Sequence, residues 1–134
     1  MPEKKTLERA RRDKREGKAP TTQAGEFVRE EMEHVRQGKH GARSTKQAIA
    51  IGLSKARRSG VKLGPPKKGT ASPQTRRKAA RDYERGQSGA ASKPSTKRST
   101  ARRKALKREP RSAASRQALS RQAKQAAARR RRAA

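Results

Sequence analysis

Only twelve large apolar side chains are available to build a core in this chain of 134 residues, counting Leu, Ile, Val, Phe and Met beyond the first residue. The chain also has a formal net charge of +29. A polypeptide with so little apolar surface and so much like charge cannot offset the conformational entropy of folding over its whole length. The sequence therefore predicts a mostly α-helical module within a largely disordered, highly basic chain, and it argues against a single well-packed domain.

Charge and apolar residues are both distributed unevenly. Residues 1–33 contain nine basic and eight acidic residues, whereas residues 34–134 contain 31 basic and three acidic ones. Nine of the twelve large apolar residues lie between Phe27 and Leu63. We therefore expect an ordered module at 21–63, preceded by a charged N-terminal helix or arm at 1–20 and followed by a polycation.

A first amphipathic helix is predicted that Thr21 or Thr22 caps and that runs to about residue 37. Large apolar side chains recur from Phe27 to Val35 at the spacing of one helix face, and Gly38 can adopt the left-handed conformation that ends a helix. This pattern predicts a solvated acidic face on the opposite side, with docking of that face on the basic tail as an alternative. The acidic face consists of Glu26, Glu30 and Glu33.

A second helix is predicted over 45–59, and the apolar faces of the two helices are expected to pack together as a hairpin. Ser44 and Gln47 have the spacing of a capping box at its start, and Gly60 closes it. Gly52 opposes this helix by about 1 kcal/mol relative to alanine. A strand is the alternative, because the residues from 49 to 53 alternate with period two.

The remaining chain is predicted to be poorly ordered. A Pro/Gly linker spans 64–71, and a short basic helix at 72–86 begins with Ser72 and Pro73 and ends at Gly86. Residues 87–134 form an Ala/Lys/Arg-rich tail that we expect to be disordered when free, with a flexible tether over 86–100. Binding to a polyanion removes the charge repulsion and allows the tail to become helical.

A cationic region of this density requires a polyanionic partner. Duplex DNA has about one negative charge per 1.7 Å of axis, so the net charge of 34–134 matches roughly 14 base pairs. Tyr83 is the one aromatic residue after Leu63, which disfavours binding by base stacking. We therefore predict non-specific binding to the phosphate backbone of duplex DNA. The predicted nucleic-acid-binding residues are Lys46, Lys55, Arg57, Arg58, Arg76, Arg77, Lys78, Arg102, Arg103, Lys104, Lys107, Arg108, Arg116, Arg121, Lys124, Arg129, Arg130, Arg131 and Arg132.

Other functions remain open as hypotheses. The same physics applies to an RNA-binding or ribosome-associated protein, and the module at 21–63 can instead bind a protein or form a homodimer, with the tail serving only for localisation. A sequence-specific alternative treats 45–59 as the reading helix of a reduced helix-turn-helix, with Lys46, Arg57 and Arg58 as its contacts.

Neither catalysis nor cofactor or metal binding is predicted. The chain has no cysteine, and its two histidines, His34 and His40, span a predicted helix end and a glycine loop. We interpret them as surface side chains. No arrangement of nucleophile, base and orienting group can be argued from spacing, so the chain is not expected to be an enzyme. No segment approaches the roughly 20 apolar residues of a membrane span, and no secretory signal is visible.

Three segments also resemble a known family. They are AGEFVREEM at 24–32, GKHG at 38–41 and STKQAIAIGLSKAR at 44–57. Over roughly residues 1–64 the chain is similar to a family of small, basic, uncharacterised bacterial proteins. The resemblance implies a cytoplasmic, nucleoid-facing protein and supplies no catalytic residue or ligand. The tail is similar in composition to bacterial histone H1-like proteins.

Overall fold

Helices account for most of the regular structure in the computed structural model, which describes residues 2–89 and 95–133. The prediction of a mostly helical chain is confirmed, and the alternating segment at 49–53 is helical rather than a strand. The α-helices of the described ranges are α1 (Lys4–Arg15), α2 (Pro20–Arg36), α3 (Thr45–Arg58), α4 (Pro73–Ser88), α5 (Thr96–Lys107) and α6 (Arg116–Ala133), with one 3₁₀ turn at Ser112–Ala114.

The chain divides into two compact units. The first consists of Met1–Glu30 and Ala50–Lys93, and the second of Glu31–Ile49 and Pro94–Ala134. Helices α2 and α3 therefore contribute residues to both units. Each unit is described separately below.

The core of the first unit is built around Phe27, whose side chain is 1% exposed. Small side chains surround it, which allows the helices to approach one another closely. Helices α2 and α3 approach each other closely, because a Cβ on Gly52 would lie 2.7 Å from the Cα of Val28. The other buried members of this core are Ala10, Ala24, Ala56 and Val61, with Leu7, Leu53 and Leu63 packed against them.

The glutamate at the centre of the predicted solvated face is buried. Glu30 is 2% exposed, and its carboxylate accepts hydrogen bonds from the backbone amide of Glu3 at 2.5 Å and the hydroxyl of Thr6 at 3.4 Å. These groups lie at the N-terminus of α1, where the helix dipole favours a negative charge. The expectation of a solvated acidic face is therefore wrong for Glu30, which positions α1.

Helix α4 is attached to the C-terminal end of α3. Ser54 donates a hydrogen bond to the Asp82 carboxylate at 2.7 Å, and a Cβ on Gly86 would collide with the carbonyl oxygen of Arg57. Gly86 therefore lies inside α4 at a close approach of backbones. The helix ends instead at Gly89, which has a left-handed φ of 69°.

The second unit overturns the prediction of a largely disordered chain with a disordered tail. The backbone amides of Gly41 and Ala42 donate to the carbonyls of Leu106 at 2.8 Å and Pro110 at 3.0 Å. The hydroxyl of Thr45 donates to the carbonyl of Ala113 at 2.6 Å. These contacts attach the last turn of α5 and the segment after it to the loop between α2 and α3 and to the start of α3. They need no large apolar side chain, which is why a count of such residues did not predict them.

Small residues and arginines complete the attachment. Ala113 and Ala114 are buried in the 3₁₀ turn, and the Arg36 guanidinium donates to the Ala114 carbonyl at 3.1 Å. Arg111 donates to the carbonyl of Val35 at 3.3 Å and to that of Arg36, both at the end of α2. Part of the predicted flexible tether, 90–94, lies outside the described residues.

Candidate nucleic-acid interface

A groove on the second unit lies between the N-terminal ends of α3 and α6. Three basic side chains line it: Arg43 and Lys46 at the start of α3, and Arg121 on α6. Its other lining residues are uncharged: Ser44, Thr45, Ser112, Ala113, Ser115, Gln117, Ala118, Gln122 and Gln125. We call this the α3/α6 groove. It combines positive charge with many hydrogen-bonding groups, and none of its lining residues is acidic.

Both helices that open onto the groove begin with a serine cap. The Ser44 hydroxyl accepts from the amide of Gln47 at 3.1 Å, and the Ser115 hydroxyl accepts from the amide of Ala118 at 3.1 Å. The first-turn amides of a helix form the positive end of its dipole and favour anions. Two such ends and three basic side chains therefore give the groove a positive potential suited to a phosphate.

Every lysine and arginine side chain of helices α5 and α6 is exposed to solvent. Neither helix has a buried residue, and together they contain thirteen lysines and arginines and no acidic residue. The predicted contact residues in the C-terminal segment are all exposed: Arg102, Arg103, Lys104, Lys107, Arg108, Arg116, Arg121, Lys124, Arg129, Arg130, Arg131 and Arg132. Among the predicted contacts, the structure brings Lys46 and Arg121 together in the α3/α6 groove.

The predicted contacts in the first unit are placed differently. Arg57 is 7% exposed, and its guanidinium donates to the carbonyls of Leu63 and Gly64, each at 3.1 Å. Burial lowers the pKa of Arg57, and the nearby carboxylate of Asp82 opposes that shift. Arg57 therefore holds the loop after α3, and this burial argues against a reading helix that uses it.

The other basic side chains of the first unit vary in exposure. Arg58, Arg77 and Lys78 are exposed, whereas Lys55 and Arg76 are half-buried. Lys55 has its Nζ 4.0 Å from the Glu30 carboxylate, and Arg76 donates to the Pro66 carbonyl at 2.9 Å. Lys55 and Arg76 thus take part in packing, and the three exposed residues remain candidates for phosphate contact.

Sequence reasoning missed Arg43, Ser115 and the glutamines of α6 as groove residues. The two serine caps can be recognised locally, because Ser44 and Ser115 each precede a segment with strong helix propensity. Their convergence depends on pairing of the 38–43 loop with the segment after α5, and that pairing is formed by backbone groups. No periodic pattern in the sequence marks it.

The structure also groups three side chains that can hold a metal ion. Glu31, His34 and His40 each place a ligand atom within 4.8 Å of the others. All three belong to the second unit, and none of them is exposed. Both histidines are half-buried, and His40 lies beside the buried Glu31 carboxylate.

Residues 17–68 match the family DUF6496, described as a family of unknown function. The match includes α2, α3 and the loop between them, and it ends before α4 begins. It supports the resemblance to an uncharacterised family, over a different range from the 1–64 expected from the sequence. Neither a curated protein nor a solved structure shows significant similarity to the chain.

Within the described ranges, none of the helices combines the length and apolar character that crossing a bilayer requires.

Proposed function

We propose that this chain binds the phosphate backbone of duplex DNA without sequence specificity, through α5, α6 and the α3/α6 groove. The observation that supports this most directly is that these two helices carry thirteen basic side chains, all of them exposed, and no acidic one. Neutralising phosphates releases condensed counterions, which favours binding and makes it strongly salt-dependent. Backbone contacts position a protein on DNA but carry no direct sequence information.

The scarcity of aromatic residues supports a duplex as the ligand. The sequence of the second unit contains no Phe, Tyr or Trp. Phe27 is buried in the first unit, and Tyr83 is half-buried there. Proteins that bind single strands usually stack bases on exposed aromatic side chains. A duplex with regularly spaced phosphates matches basic helices better.

The proposal extends to a nucleoid-associated, histone H1-like role in the bacterial cytoplasm. A protein with nineteen basic and three acidic residues in one unit produces a field that attracts any accessible polyanion. In this role the α3/α6 groove holds one phosphate in a fixed geometry, while α5 and α6 follow the adjacent backbone.

Fluorescence anisotropy with the full chain tests the proposal. The ligands are two duplexes of unrelated sequence and an RNA hairpin of equal length, each at low and at physiological salt. We expect equal affinities for the two duplexes within about twofold, weaker binding to the hairpin, and a steep loss of affinity with salt. Tighter binding to the hairpin at both salt concentrations would instead identify structured RNA as the ligand and contradict the DNA proposal.

A matched pair of variants tests the groove itself. Lys46→Gln with Arg121→Gln removes two groove charges, and Arg11→Gln with Lys14→Gln removes two exposed charges from α1. Losing charge-assisted hydrogen bonds to phosphate should weaken the groove variant by about tenfold or more. The α1 variant should stay within about threefold of the wild type. Equal losses in the two variants would show that the groove is not a contact site.

A further inference from the structure

We infer that Glu31, His34 and His40 form a binding site for a divalent transition-metal ion of the zinc type. The inference is independent of nucleic-acid binding. It begins from the local structure that brings the three residues together at the C-terminal end of α2. Glu31 and His34 are three residues apart on the helix, so they share one face.

A glycine turn returns His40 to that face. Gly38 has a φ of 76°, its amide donates to the Val35 carbonyl at 3.1 Å, and the next amide, of Lys39, donates to the His34 carbonyl at 3.0 Å. This is a Schellman motif, which ends a helix and reverses the chain. The imidazole of His40 then lies edge-on to that of His34, with ring centroids 5.9 Å apart.

The contacts of His40 assign a proton to one ring nitrogen and place the other nitrogen against a carboxylate. Nδ1 lies 2.8 Å from the carbonyl oxygen of Gly41, which can only accept, so Nδ1 must donate a proton. Nε2 lies 3.1 Å from Oε2 of Glu31. If the carboxyl of Glu31 is ionised and His40 is neutral, both of these atoms are acceptors, so their approach requires either a proton between them or a metal ion that both coordinate.

The arrangement around His40 is the one that metal-binding histidines use. A metal-ligating histidine commonly donates its other ring N–H to a carbonyl or carboxylate, which fixes its tautomer and orientation. Ligands about 2.0–2.1 Å from a tetrahedral zinc ion lie about 3.3 Å from each other. The Glu31–His40 distance of 3.1 Å is close to that value. The ligand atom of His34 lies within 4.8 Å of the other two.

Burial and ligand type select the class of ion. The Glu31 side chain is 1% exposed and that of His40 is 13% exposed, so a cation bound there would contact a carboxylate that water scarcely reaches. Two imidazoles and one carboxylate favour zinc and its transition-metal neighbours over magnesium or calcium, which prefer oxygen ligands. Three protein ligands leave a fourth position for water.

Metal binding would also stabilise the attachment of the C-terminal segment. His40 precedes Gly41 and Ala42, whose amides donate to the carbonyls of Leu106 and Pro110. An ion that joins His40 to α2 fixes this loop in the conformation that accepts the segment. Zinc is therefore expected to raise hydrogen-exchange protection at the Gly41 and Ala42 amides.

The composition of the chain limits the side chains that can coordinate zinc through sulfur or imidazole nitrogen. It contains no cysteine and no histidine other than His34 and His40, so imidazole coordination can arise only at this cluster, provided that the protein carries no polyhistidine tag. The experiment titrates the full chain with Zn²⁺ against a chromogenic chelator, and with Co²⁺ by visible absorption, which reports coordination geometry. We expect one saturable site and a tetrahedral Co²⁺ spectrum.

Variants assign the ligands. His34→Gln and His40→Gln should each weaken Zn²⁺ binding by at least about tenfold, whereas Glu33→Gln, on the same helix but outside the cluster, should bind as the wild type does. Far-ultraviolet circular dichroism checks that each variant remains helical. If one histidine variant unfolds, the Zn²⁺ affinity of the other histidine variant still tests the proposal. Binding that is absent, or equal in the wild type and both histidine variants, would overturn the proposal in favour of a protonated His40–Glu31 ion pair.

Discussion

Replacing Gly52 by alanine should destabilise the chain, although alanine is the better helix former. Gly52 lies inside α3 against α2, and an added Cβ would lie 2.7 Å from the Cα of Val28 and 2.9 Å from its backbone nitrogen. Backbone atoms of a packed helix cannot rotate away as a flexible side chain can. The substitution therefore forces the two helices apart at this contact.

The expected magnitude follows from two opposing effects. Alanine gains about 1 kcal/mol over glycine in a helix interior, and overpacking a close contact costs about 1–3 kcal/mol. Because the colliding atoms are backbone, we place the cost of Gly52→Ala at the upper end, which gives a net loss of about 2 kcal/mol. A loss of this size lowers the melting temperature of a domain this small by about 10 °C.

Gly25 supplies the matched control. It lies inside α2, and nothing lies within 4 Å of a Cβ built there, so Gly25→Ala should stabilise the chain by about 0.5–1 kcal/mol. Urea denaturation followed by circular dichroism at 222 nm measures both variants. Stabilisation by both substitutions would refute the close crossing of α2 and α3, because the propensity gain would then act unopposed.

Three further predictions follow from the contacts. Phe27→Ala should lower the free energy of unfolding by about 3–5 kcal/mol, measured by urea denaturation; a loss below about 1 kcal/mol would contradict its central place in the core. Thr45→Val removes the hydrogen bond to the Ala113 carbonyl and should lower the stability of the attached segment by about 1–3 kcal/mol. Hydrogen exchange over 112–118 should therefore become faster, and unchanged exchange would contradict that attachment. Glu16, and then Asp13, raise the pKa of Lys18 above its ordinary value of 10.5. The charged Lys18 therefore stabilises the folded chain slightly at neutral pH, and this contribution is lost as pH rises through the folded-state pKa. The melting temperature of Lys18→Met should accordingly fall less above pH 10.5 than that of the wild type, and an equal fall would contradict the assignment.

Local patterns in the sequence predicted much of the helical structure. Gly38 and Gly60 end α2 and α3 with left-handed φ values of 76° and 100°, and Ser72 accepts the amide of Thr75 at the start of α4. Ser44 caps α3, although the side chain of Gln47 accepts from the residue before it rather than from Ser44 itself. These features depend on residues close in sequence, so residue type and spacing are enough to recognise them.

Long-range features of the second unit escaped the same reasoning. Ala113 and Ala114 are buried, yet alanine is common throughout the tail, and the backbone hydrogen bonds that hold this segment leave no pattern of side chains. A count of large apolar residues therefore underestimated how much of the chain folds.

The candidate sites show a similar division. The basic character of the candidate interface can be predicted from composition, but the placement of Lys46 and Arg121 in one groove can be seen only in the tertiary structure. The spacing of His34 and His40 suggested no metal site because it crosses a helix end. The left-handed turn at Gly38 returns His40 to the helix and makes the two imidazoles neighbours.

The salt dependence of DNA affinity tests the central claim most directly. One variant replaces the four arginines at 129–132 of α6 by glutamine. A control variant loses the same charge from α1, by replacement of four residues with glutamine: Lys4, Lys5, Arg11 and Arg12. All eight side chains are exposed. If α6 contacts phosphates, the slope of log affinity against log salt should become shallower by about 0.9 for each lost contact, and the α1 variant should retain nearly the wild-type slope. Equal slopes for the two variants would contradict the assignment of α6 as a DNA-binding helix.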